Sequence, residues 1–94
     1  MANKMTKAQT TRALEILMEA VELNGKVFDS AKHWINYGII SFIIEDIKSQ
    51  MNGGDESKEF VKLVYGSYEA YFEYKLKFYK DSVDEIRATV EEVA

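Results

Sequence analysis

INYGIISFIIEDIKSQM, residues 35–51, decides the fold of this chain. Its opening, INYGIISFII, is rich in β-branched and aromatic side chains and on its own reads as a buried strand. The stretch then continues through EDIKSQM without a breaker, which gives it the length of a helix. On a helical wheel Ile35, Tyr37, Ile39, Ile40, Phe42, Ile43, Ile44, Ile47 and Met51 cover more than half the circumference. Gly38, Ser41, Glu45, Lys48 and Ser49 fill a narrow strip opposite. A helix this apolar belongs in an interior, so the segment from about Ser30 to Met51 is expected to be the central, most buried helix, with Phe42 in the core. Asp29 or Ser30 can cap it, and Phe28 can supply the apolar residue of a hydrophobic staple.

Working outward, NG at Asn24-Gly25 and NGG at Asn52-Gly54 are helix-stop and turn signals. They divide the 94 residues into three segments of one domain, with no proline to break a helix interior. The first segment runs from about Thr6 to Leu23. Thr6-Lys7-Ala8-Gln9 has the capping-box pattern, and Leu14, Leu17, Met18 and Val21 follow helical spacing, with Glu15, Glu19 and Glu22 on the other side. The third segment runs from Asp55, an N-cap candidate, toward Val93. As one helix it would be roughly 57 Å long, against about 25–33 Å for the others, so its end would project unless it breaks. Ser82-Val83-Asp84-Glu85 repeats the capping-box pattern and marks a possible break near Asp81-Ser82; lacking glycine or proline there, continuity is preferred. The predicted fold is all-α: a helical hairpin packed on a long C-terminal helix.

That last segment carries YGSYEAYFEYKLKFYK, residues 65–80, with Tyr65, Tyr68, Tyr71, Phe72, Tyr74, Phe78 and Tyr79. Tyr68, Phe72, Tyr79 and Phe78 fall on the apolar arc and read as core. Tyr71 and Tyr74 sit at the edge that carries Leu63, and Tyr65 lies toward the opposite edge with Leu76. The arc is wider than two shorter helices cover, and tyrosine suits half-wet positions and interface centres. Tyr65, Tyr71, Tyr74, Leu63 and Leu76 are therefore the candidate interface, for another protein or a second copy in a homodimer or hetero-complex. Glu15, Glu19, Glu22, Glu69 and Glu73 form a second-choice acidic surface.

Composition narrows the function classes. The net charge of −4, and the carboxylates around Lys75, Lys77 and Lys80, argue against a nucleic-acid platform. There is no cysteine, and His33 is the single histidine, so thiolate sites and histidine-based di-metal or zinc sites lack ligands. No phosphate loop or nucleophile motif is present, and His33-Trp34 reads as a first-turn packing pair. No enzyme activity, cofactor or metal is expected. The start MANKMTKAQTTRA lacks an apolar signal region and YGIISFII is too short to span a membrane, so a cytoplasmic protein is expected. The expected function is a non-enzymatic interaction module, an adaptor, a regulator or a self-associating subunit. The alternatives are a small acidic inhibitor of a nucleic-acid groove on an enzyme and a polymerising structural subunit.

Overall fold

In the computed structural model, residues 4–53 and 56–93 are described, and they form an all-α bundle of four helices. α1 is Lys7–Gly25, α2 Ala31–Met51, α3 Lys58–Tyr65 and α4 Tyr68–Val93. The helix starts follow local hydrogen-bond chemistry. Thr6 Oγ1 accepts from the Gln9 amide at 3.1 Å while Gln9 Oε1 accepts from the Thr6 amide at 3.1 Å, a complete capping box. Ser30 caps α2 by accepting from the Lys32 amide at 3.1 Å. Between the two helices, Asn24 Nδ2 donates to the His33 carbonyl and His33 Nδ1 lies 3.1 Å from the Asn24 carbonyl, so the end of one helix clasps the start of the next.

The third segment is two helices, and the break falls at Gly66, not near Asp81-Ser82. Gly66 has φ +89°, a conformation that favours glycine. Ser67 Oγ then accepts from the Ala70 amide at 3.1 Å and starts α4. Ser82, the expected alternative start, donates to the Phe78 carbonyl at 3.0 Å and sits inside an unbroken helix. Ser57 is the N-cap of α3, through its hydroxyl and the Phe60 amide; the candidate cap Asp55 lies outside the described residues.

α4 touches each of the other three helices and packs most extensively on α1. Two core clusters stack along it. One is aromatic: Tyr71, Phe72, Leu76 and Tyr79 with Ala13, Ile43, Ile47 and Val61. The other is aliphatic: Val83, Ile86 and Val90 with Ala20, Leu23, Val27 and Ile40. Ile16, Leu17 and Ile39 pack against both. Ala13 and Ala20 are fully buried where α1 faces α4, and small side chains there let the two backbones come close.

The expectation that α2 is the most buried helix is overturned. Ile40, Ile43 and Ile47 are buried, but Trp34, Ile35, Tyr37 and Phe42 are exposed, and Phe42 is not core. α4 is the central helix. The reason is the geometry of a short chain: α1 and α4 cover one side of α2, and α3 folds back onto α4, leaving nothing among the described residues for α2's other side.

Candidate functional site

The five residues of the predicted interface do not form one surface. Tyr71 and Leu76 are each 2% exposed and belong to the core; as interface residues they are corrected. Leu76 lies in the aromatic cluster with Ala13 of α1, and Tyr71 is covered because α3 turns back at Gly66. Burial raises the Tyr71 hydroxyl above its ordinary range, against a smaller opposing pull from the Lys75 ammonium. Tyr65 is half-buried, with ring centres 5.1 Å from Tyr71 and 5.3 Å from Tyr74. Tyr74 and Leu63 remain at the surface, Leu63 at 86% exposure.

The acidic surface is also divided. Glu73 accepts from Arg12 at 2.9 Å and from Gln9 Nε2 at 3.1 Å, and these donors hold its carboxyl below the usual carboxylate range. Glu19 is bonded to Arg87, whose guanidinium is held above its ordinary range by that hydrogen bond and by the Glu19 charge. These two carboxylates stitch α1 to α4. Glu15, Glu22 and Glu69 are exposed.

Sequence reasoning missed the outward face of α2. Trp34 is 68% exposed, Ile35 59% and Phe42 58%. Trp34 meets two rings of its own helix, edge-on to His33 at 5.2 Å and tilted to Tyr37 at 6.0 Å. Phe42 meets Phe78 of α4 edge-on at 6.0 Å. Beside Phe42 a groove of about 640 Å³ runs between α2 and α4. Ile35, Gly38, Ile39 and Phe42 line one side; Phe78, Asp81, Ser82 and Glu85 line the other. A Cβ added at Gly38 would meet nothing within 4 Å, so the groove is open there. The signal was in the sequence: an apolar arc covering more than half of α2, in a chain with few other helices.

Polar pairs join α2 to α4. Toward one end, Asn36 Nδ2 donates to Thr89 Oγ1 at 2.9 Å, and the Thr89 hydroxyl lies 2.8 Å from the Ile86 carbonyl. Toward the other, the Tyr79 hydroxyl donates to Asp46 Oδ2 at 2.6 Å, and Lys75 Nζ lies 3.4 Å from Asp46 Oδ1. Burial first, and then the hydrogen bond to the Asp46 carboxylate, push the Tyr79 hydroxyl far above its ordinary range. The Tyr79 hydroxyl is thereby held as the donor to Asp46. Among the described residues no three His, Asp or Glu side chains are gathered to hold a metal ion, and no helix is long and apolar enough to cross a membrane. What this surface offers chemically is apolar area with an acidic edge. No family model, curated protein or solved structure matches the chain.

Proposed function

We propose that this chain is a small, non-enzymatic helical interaction module of the cytoplasm that binds a partner protein through the outward face of α2. The observation that carries the reading is the exposure of Trp34, Ile35, Tyr37 and Phe42 on a helix that is apolar over most of its circumference. A helix apolar over more than half its circumference is expected to bury that arc, yet Ile35, Tyr37 and Phe42 at its edges lie in water. Large exposed apolar patches mark contact sites, and Trp and Tyr are enriched among the residues that dominate binding.

The acidic-inhibitor reading has less support, because Glu19 and Glu73 are occupied by Arg87 and Arg12. The polymerising reading depended on a long projecting helix. With the break at Gly66, α4 has 26 residues, about 39 Å, and α3 is folded back on it.

The test is the double variant Trp34→Glu, Ile35→Glu. Both side chains are exposed, so helix content and melting should be nearly unchanged. Retention of the partner recovered from the native cell should be lost. A wild-type chain that recovers no partner, or one that holds its partner equally well with both glutamates in place, overturns the reading.

A further inference from the structure

We propose that the α2/α4 groove receives an amphipathic helix of another protein that carries Lys or Arg along one flank. This rests on the docking role of α2 and adds the place and chemistry of the ligand. α1 packs on both α2 and α4, whereas α2 and α4 meet more sparingly and stand apart beside Ile35, Gly38 and Phe42. The groove is bordered by residues of α2 and α4 alone, with none from α1.

The occupant is a helix because of the groove's length and shape. From Ile35 to Phe42 the wall spans about 10 Å, two helical turns, which matches apolar residues at i, i+3 or i+4, and i+7 of a guest. Gly38 leaves room midway for the central one. The occupant is basic because both charged residues in the lining, Asp81 and Glu85, are carboxylates on the α4 side. Asp81 is shared with Lys77 at 3.1 Å across an exposed pair, where such contacts are weak and exchangeable. Glu85 has no ion-pair partner among the described residues. A second copy is the poorer guest. It carries a net charge of −4, and the polar strip of its most apolar helix presents Glu45 paired with Lys48, not a run of cations.

The experiment titrates the full chain with two synthetic helical peptides. They share leucines at i, i+4 and i+7 and differ in flanking lysines or glutamates. The lysine peptide should bind at least about tenfold tighter, lose affinity as salt rises, and shift the amide signals of Gly38, Phe42 and Ser82. Asp81→Lys with Glu85→Lys should invert the preference, and Gly38→Leu should abolish binding while the protein stays folded. Equal affinity for both peptides overturns the charge assignment. Signal shifts confined to other faces, or no binding of either peptide, overturn the groove. In each of these cases a partner whose retention still depends on Trp34 and Ile35 leaves the docking reading standing, so the two failures are distinguishable.

Discussion

α4 is used twice, and differently. Along α1 it makes a closed seam: Ala13 and Ala20 disappear beneath it, Ile86 and Val83 fill the space, and the Arg12–Glu73 and Glu19–Arg87 pairs fasten the rim. Along α2 it makes an open one, in which polar pairs hold the two helices but Ile35, Gly38, Phe42 and Phe78 border a groove. The closed seam buries apolar area with the chain's own residues. The open seam leaves part of its apolar area, at Ile35 and Phe42, in water. The tightly packed side of α4 therefore faces α1, and its open side lies along α2.

The sharpest way to break that contrast is to damage the closed seam. Ile86→Ala removes a fully buried side chain and should destabilise by ~2–5 kcal/mol, enough to threaten a domain of this size. Chemical denaturation measures it, and a shift under ~1 kcal/mol would mean that the seam is not the centre of the fold. Next in size is Asp46→Ala, which leaves the Tyr79 hydroxyl without its acceptor in a buried site and should lose ~1–3 kcal/mol. Replacing Tyr79 by Phe in the same background should recover part of that loss, because no unsatisfied donor then remains.

The third expectation concerns pH. The folded state holds Tyr79, and more weakly Tyr71, protonated beyond their ordinary range. A raised folded pKa gives stability that is fully present below about pH 10, where the unfolded tyrosine titrates, and is lost as pH climbs above it. Melting temperature should fall on the alkaline side, and the part of the tyrosinate absorbance that Tyr79→Phe removes should appear only as the helix signal disappears. Tyr79→Phe should flatten that alkaline limb. The smallest effect belongs to the open seam. Phe42→Ala should change stability by less than about 1 kcal/mol, since the ring is 58% exposed, yet should weaken partner binding. A loss comparable to that of Ile86→Ala would show that the two seams do not differ.

Much of the architecture was legible because it is local. The Thr6–Gln9 box is written within a few residues and formed as read, and of the two candidate caps Asp29 and Ser30 it is Ser30 that starts α2. Helix type was legible from spacing, and so was the burial of Phe72 and Tyr79. The break at Gly66 was missed because a lone glycine among aromatics was outweighed by the apolar periodicity around it. Ser67, with a free amide three residues on at Ala70, was the readable sign of a new start. The site was less legible for a different reason. A wheel shows which arc of a helix is apolar, but not how many neighbours will arrive to cover it. Leu76 looked marginal and was covered by α1; Phe42 looked central and was not covered.

Trp34 is the chain's single tryptophan, and it stands on the outward face of α2 with most of its indole in water. The protein thus has a built-in optical probe at the place where contact is expected. Its emission should start red, as for a hydrated indole, and move to the blue when that face is shielded. No dye or tag is needed to follow an encounter in real time.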